Sequence, residues 1–268
     1  MASDIVTPHC VVVTGASAGL GRALALAYAA PGVVLGLIGR DAERLQASAD
    51  ACRARGAEVF AGSIDVRKAD ALKTWLDTFD TRHPIDLLIA NAGIANVLTC
   101  PDDLEDITRT TNIIDTNLYG MLYTALPVIE RMRTRQHGQI ALVASLSALR
   151  GIALDPAYCA SKAAIKVWAD SARPLLQRDG VTLSVILPGF VKTAMSEAFP
   201  GDKPIIWSAD RAAVYIRRKL AAYRVEIGFP FLMYAGARLL MLLPIPLADF
   251  IQNKLSYLPS QKTKCGSD

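Results

Sequence analysis

Short β-branched runs and longer alanine-rich or amphipathic stretches alternate along the chain. The first apolar run, Cys10-Val11-Val12-Val13, leads into Thr14-Gly15-Ala16-Ser17-Ala18-Gly19-Leu20-Gly21, and an alanine-rich stretch follows from Arg22 to Ala30. This order predicts strand, glycine turn and helix. Val33 to Ile38 predicts a second strand ending at Gly39-Arg40, with Asp41 placed to cap the next helix. Further strands are expected at Val59 to Ile64, Asp86 to Ala90, Gln139 to Ala144 and Thr182 to Leu187, and helical stretches separate them. Strands alternating with helices imply an α/β fold, a doubly wound parallel sheet with helices on both faces. Ligands of such sheets bind beyond the carboxyl ends of the strands. Asp65, Asn91-Ala92-Gly93, Ser145 and Pro188-Gly189 all fall at such ends.

The chemistry these ends carry is specific. Glycines in the first turn let the backbone approach a pyrophosphate, and the following helix offers free N–H groups and the positive end of its dipole to the anion. Where the second strand of such a fold ends, an acid would bond an adenosine 2′-hydroxyl and an arginine would accommodate a 2′-phosphate. Arg40 at this place points to NADP(H) before NAD(H), unless it is only a solvated arginine ahead of the Asp41 cap. Tyr158 and Lys162 stand four residues apart, so on a helix they share a face. An ammonium beside a phenol of ordinary pKa about 10 favours the ionised phenol. Ser145, thirteen residues before Tyr158, would project from a strand tip toward the same point and hydrogen-bond a substrate oxygen.

Taken together, these pieces make the chain resemble the classical short-chain dehydrogenase/reductase family from about Val11 to Thr193. The resemblance rests on Thr14 to Gly21, Asp65-Val66, Asn91-Ala92-Gly93, Asn117, Ser145, Tyr158-x-x-x-Lys162 and Pro188 to Thr193, in that order. It implies a single Rossmann-like domain of seven strands that transfers hydride between NAD(P) and an alcohol or carbonyl. Tyr158 would then be the general acid/base, Lys162 would lower its pKa and hold the nicotinamide ribose, Ser145 would position the carbonyl, and Asn117 would anchor a relay water. Gly15, Ser17, Gly19, Leu20 and Gly21 would line the phosphates, and Asp65 with Val66 the adenine. Asn91, Ala92 and Gly93 would meet the adenosine side. Pro188, Gly189, Val191 and Thr193 would meet the carboxamide or phosphate. Two of these residues have structural alternatives: Asn117 as a backbone partner within a helix from Ile113 to Tyr123, and Asp65 as a helix cap. Cys159, beside Tyr158, reads as a small helix residue, because no histidine is near it in sequence to activate a thiol.

At 268 residues, 52% apolar and 20% charged, the chain is long enough to bury one substantial core. Residues 1–200 are read as the dinucleotide-binding unit, and residues 201–268 as a substrate-region helix and an apolar extension packed on the same domain. Cys10, Cys52, Cys100, Cys159 and Cys265 show neither metal-ligand spacing nor an even disulfide framework, so no metal site and a reducing, cytoplasmic location are expected. Nothing in Met1 to Pro8 reads as a signal peptide. A net charge of +4 calls for no nucleic-acid partner. Pro174 suggests a kink or break in the helix after Lys162.

The tail departs from the pattern. A basic helical stretch, Ser208 to Arg224, precedes apolar runs at Ile227 to Tyr234 and Leu239 to Leu247, and Arg238, Pro244 and Pro246 interrupt them. That is short of the ~20 residues a membrane span needs. Contact with a membrane surface, a cover over the substrate cleft and a homodimer or homotetramer interface all fit such a segment. Phe199, Pro200, Ile205, Ile206 and Trp207 make the substrate region apolar, which points to a bulky hydrophobic ketone or aldehyde, lipid-, acyl- or steroid-like. The competing class is a catalytically silent NADP(H)-binding sensor or scaffold. Such a protein would be free to lose Ser145, Tyr158 or Lys162, and this chain keeps all three.

Overall fold

A computed structural model of the chain describes residues 8–98, 105–153, 155–199, 203 and 205–254. Pro200, Cys100 and Cys265 lie outside them. The strands are β1 (Cys10–Thr14), β2 (Val34–Gly39), β3 (Glu58–Ser63), β4 (Leu87–Ala90), β5 (Gly138–Val143), β6 (Val181–Pro188), β7 (Val191–Lys192), β8 (Trp207–Ser208) and β9 (Glu226–Phe229). The helices are α1 (Gly19–Tyr28), α2 (Ala42–Arg53), α3 (Ala69–Arg82), α4 (Ile107–Ile114), α5 (Gly120–Arg135), α6 (Pro156–Arg178), α7 (Ala194–Glu197), α8 (Ala209–Ala221), α9 (Phe231–Leu240) and α10 (Ile245–Lys254).

Seven strands form one sheet in the order β3-β2-β1-β4-β5-β6-β9, every pairing parallel. Alternate side chains of a strand point to opposite faces, and here both faces are covered, so the inner strands β1, β4, β5 and β6 are buried almost throughout. Val12, Leu88, Ile140, Leu142 and Val185 pack with Leu72 and Leu76 of α3, Met121 and Val128 of α5, and Ile165 of α6. Val11, Val13, Leu35, Leu37 and Ile89 pack the other way, with Leu24 of α1, Leu45 of α2, and Ile216 and Leu220 of α8. The chain winds outward from β1 in both directions, leaving a crevice between the ends of β1 and β4.

Four local expectations change. Helix α1 starts at Gly19, three residues before the expected Arg22, because the last glycines of the turn already form its first turn. The expected helix from Ile113 to Tyr123 is interrupted by a π-helical turn over Asp115–Tyr119, which carries Asn117. A π-turn inserts one residue and turns the side chains after it, a feature common where a helix serves a site. Helix α6 runs through Pro174 without a break. The missing N–H of a proline costs one ladder bond, and α6 is held there by Lys166 and Arg173, which pair with Asp170 at 2.5 and 2.8 Å. Finally, Ile227 and Phe229 are sheet residues of β9, 2% and 1% exposed, not part of a surface apolar segment.

Candidate active site

The turn after β1 is built for an anion. Gly15 and Gly19 adopt φ +67° and +54°, a region that a side chain disfavours. Ala18, at the N-cap of α1, makes no side-chain cap hydrogen bond, so the first-turn N–H groups stay available. Thr14 ties this turn to the end of β4: its Oγ1 accepts from the N–H groups of Asn91 at 3.0 Å and Ala92 at 3.2 Å, while Asn91 Nδ2 donates to Thr14 O at 3.0 Å. Thr14 is the residue that sequence reasoning left out of the site, although it opens the glycine stretch. A β-carbon built on Gly21 would lie 2.1 Å from Gly15 O, and one on Gly19 would lie 3.0 Å from Thr193 Cγ2. The phosphate cradle and Thr193 therefore face one another. This cradle, which added β-carbons would fill, fits the pyrophosphate of a dinucleotide.

Along the crevice, Ser17 packs beside Gly39, where a built β-carbon would meet Ser17 Oγ at 3.3 Å. Arg40 is exposed at the end of β2. Asp41 caps α2 as expected, accepting from Arg44 N at 2.9 Å. Asp65 follows β3 but caps no helix; it is held by Arg67, whose Nη2 donates to Oδ2 at 2.6 Å, and Arg67 also donates to Asn112 at 2.9 Å. Those bonds to Arg67 hold the Asp65 carboxyl below the usual range, aided by the nearby charge of Arg40. Val66 is buried against Gly120, and Leu20 is half-buried on α1.

At the other end, Ser145 lies just past the tip of β5, where its Oγ accepts from Ser147 N at 3.2 Å and pairs with the Tyr158 phenol. Lys162 Nζ lies 5.6 Å from the centroid of the Tyr158 ring and donates to Val143 O at 2.9 Å. A β-carbon on Gly93 would be 3.3 Å from Lys162 Nζ and 3.2 Å from Asn117 Oδ1. Asn117 is fully buried; it accepts from Ile94 N at 2.8 Å and donates to Ile94 O at 2.9 Å and Ser161 Oγ at 3.0 Å. Its partners lie outside its own helix, so the alternative of an intrahelical backbone bond is not what the structure shows. The fold thus gathers Gly93, Asn117, Ser145, Tyr158 and Lys162 into one cluster.

Electrostatics here differ from expectation. Burial pushes the Tyr158 phenol up to about 12, against a smaller downward pull from Ser145. Burial also pushes Lys162 down to about 8. The expected lowering of the phenol by the ammonium does not appear, because a buried site disfavours both charged forms. The phenol is held as a proton donor. Cys159 is buried and its thiol is pushed up by burial, in keeping with an inert helix residue.

A family description, short chain dehydrogenase, matches residues 9–203. The chain belongs to the short-chain dehydrogenase family. As such it is an oxidoreductase that acts on alcohol or carbonyl groups. An uncharacterized oxidoreductase of Myxococcus xanthus is 35% identical over 248 residues, covering 91% of this chain and 96% of that relative. The 11-beta-hydroxysteroid dehydrogenase 1A of Arabidopsis thaliana is 31% identical over 210 residues, 77% of this chain and 59% of the relative. Among solved structures, an alcohol dehydrogenase from the archaeon Thermococcus sibiricus, complexed with 5-hydroxy-NADP, is 26% identical with a TM-score of 0.72, covering 82% of this chain and 95% of that one.

In this short-chain dehydrogenase the tail borders the turns on either side of the Ser145–Tyr158 cluster. A β-carbon on Gly189 would meet Pro230 at 3.1 Å, Met233 Sδ at 3.2 Å and Leu146 at 3.3 Å, so α9 packs on the turn after β6 and on the turn after Ser145. Pro188 ends β6, and Val191 starts β7, paired with Trp207 of β8. Arg150, between Ser145 and Tyr158, pairs with Asp249 of α10, and Gln252 donates to Gly151 O at 3.1 Å. Phe199 is buried against Phe190, while Ile205 and Ile206 are exposed. Among the described residues no helix is long and apolar enough to cross a membrane.

Proposed function

We propose that this dehydrogenase uses NADPH to reduce a bulky, hydrophobic ketone or aldehyde. The observation that carries the reading is the cluster in which Lys162 Nζ, bonded to Val143 O, lies 5.6 Å from the Tyr158 ring and beside Gly93 and Asn117, with Ser145 at the tip of β5 and the phenol pushed up by burial. The glycine turn and the first turn of α1 would hold the pyrophosphate of NADPH, which would supply the hydride. Ser145 Oγ donates to the substrate oxygen and fixes the carbonyl. Tyr158 gives its proton to that oxygen as charge develops there. Lys162, anchored on Val143 O and next to Gly93, holds the ribose edge and faces the phenolate that remains. Asn117 fixes the Ile94 backbone and the Ser161 hydroxyl behind this pair. Thr193, across from Gly19, closes the phosphate side.

Arg40 supports the choice of NADPH. It stands exposed at the end of β2, and the acids near it are already held, Asp41 by Arg44 and Asp65 by Arg67. The apolar α9 packed against Gly189 and Leu146 supports a hydrophobic substrate, as does the resemblance to a protein named as a hydroxysteroid dehydrogenase. The test follows NADPH oxidation by absorbance against hydrophobic ketones, aldehydes and acyl carbonyls, with NADH in parallel. Turnover on a bulky carbonyl with an NADPH KM at least about tenfold below that for NADH is expected, since one charge-assisted phosphate pairing contributes about 1.5–3 kcal/mol. Equal KM values would remove the role of Arg40.

A second contact is supported by the tail. Phe231, Leu232, Leu239, Leu242, Ile245 and Phe250 of the α9–α10 region are exposed, and α9 buries no residue fully. We infer that this surface rests on a membrane, apolar side chains in the interface. Flotation with anionic liposomes should recover the protein, and Phe231→Ser with Leu232→Ser and Leu242→Ser should leave it at the bottom of the gradient. Equal flotation of the two proteins would exclude this surface as the contact.

A further inference from the structure

Helix α10 reverses the usual order of a surface helix. Ala248, Asp249 and Gln252 share one face and meet the rest of the protein, whereas Leu247 and Phe250 are exposed. A helix docked on a core buries an apolar stripe; among its described residues α10 fully buries only Ala248. Polar bonds hold it instead. Arg150 donates from Nε to Gln252 Oε1 at 3.2 Å and from Nη2 to Asp249 Oδ1, and Gln252 Nε2 donates to Gly151 O at 3.1 Å. A single ion pair on an open surface contributes little. Here one guanidinium, with its side chain 22% exposed, serves two residues of the helix, and the same glutamine amide binds the backbone beside it. Such a fork fixes direction as well as distance.

The segment that α10 grips lies between Ser145 and Tyr158. Backbone bonds of 3.0 Å tie Ala148 to Ser145 and Leu149 to Leu146, and beyond them the Arg150 side chain and Gly151 O are bound by α10. The near end of the tail is fixed as well. Glu226 of β9 accepts from Tyr234 Oη at 2.5 Å and from Arg238, and it pairs with Lys166 at 3.0 Å. These bonds seat α9 with Met233 against Gly189 and Leu146. The two helices therefore form one wall, anchored on β9 at one end and on Arg150 and Gly151 at the other, alongside the turn that follows Ser145.

We propose that Arg150, Asp249 and Gln252 determine specificity by holding α10 as the far part of a wall on which the apolar body of a bulky carbonyl rests. A small carbonyl ends at Ser145 and Tyr158 and does not reach this wall. The three act by placing α10 and are positioning residues, and the inference rests on the reading of Ser145 and Tyr158 as the pair that holds the carbonyl. When α10 is released, a long substrate loses apolar contact that its reacting carbonyl never used. Such contact is the same in the ground state and the transition state, so its loss appears in KM and not in kcat. The exposed apolar residues of α10 lie on its other side and stay free for the membrane contact inferred above.

The test compares methyl nonyl ketone with methyl ethyl ketone in NADPH-driven reduction by the full chain without lipid. The two present the same reacting carbonyl and differ in the length of the apolar body. Asp249→Ala combined with Gln252→Ala removes all three bonds and leaves the Ser145–Tyr158 segment unaltered in sequence. The double variant should raise KM for methyl nonyl ketone about tenfold, the scale on which apolar pocket contacts discriminate. Its kcat on that ketone, and both constants for methyl ethyl ketone, should stay as in wild type. Arg150→Asp should behave as the double variant does, and adding Asp249→Arg, which re-forms the pair in reverse, should recover most of the loss. Equal losses on the two ketones, no loss on either, or no recovery in the exchanged pair overturns the proposal. A wild type that turns over neither ketone speaks against the reading of Ser145 and Tyr158 instead. The calorimetric Kd of methyl nonyl ketone for the protein with NADPH then decides the role of the wall: a value about tenfold weaker in the double variant supports it, and equal values overturn it.

Discussion

Tyr158→Phe should lower kcat by about 10²–10⁴-fold, the range that positioned proton transfer contributes, with little change in NADPH affinity. The substitution removes one hydroxyl, the one paired with Ser145, and leaves the ring beside Lys162 in place. The direction of reaction fixes the pH dependence. Carbonyl reduction needs the phenol protonated, and burial raises its pKa to about 12, so this group imposes no loss of reductase activity anywhere below that value. Alcohol oxidation needs the phenolate, so its rate should climb with pH toward the same value. Initial rates in both directions for wild type and variant check both statements. A phenylalanine variant that still reduced carbonyls within about tenfold of wild type would mean that the proton comes from another group.

The sequence was informative where local pattern decides structure. Apolar runs marked β1, β2 and β4 because each is buried on both faces, and the residue order around Tyr158 marked the cluster it forms with Ser145 and Lys162. It was silent where contacts come from afar. β9 was hidden because Glu226 to Phe229 pair with β6 across some forty residues of chain, and because the same letters continue into the apolar α9. The π-turn under Asn117 carries no signal in Asp115 to Tyr119. Glu105 gave no sign of its place, since it caps a helix that begins some fifty residues later. The acidities of Tyr158 and Lys162 ran against expectation because spacing fixes which face they share, whereas burial fixes what that face does to charge.

Gly21→Ala should both destabilise the fold and remove dinucleotide binding. Its β-carbon would meet Gly15 O at 2.1 Å and Asn91 Nδ2 at 2.6 Å. Neither neighbour can swing away. Gly15 O is backbone, in a turn already at positive φ, and Asn91 Nδ2 is bound to Thr14 O. The turn, the end of β1 and the end of β4 must therefore move together. Overpacking of this kind costs about 1–3 kcal/mol, which in a chain of this size lowers Tm by roughly 2–6 °C. Movement of the turn also withdraws the N–H groups from the pyrophosphate, so NADPH affinity should fall by more than about tenfold. Gly32→Ala separates the two effects: φ is +80° but nothing lies within 4 Å of the added carbon. That variant should lose stability by about 1 kcal/mol through backbone strain alone and bind NADPH as wild type does. Calorimetric titration with NADPH, beside thermal melts, reads both quantities. Wild-type affinity in Gly21→Ala would show that the pyrophosphate does not rest on this turn.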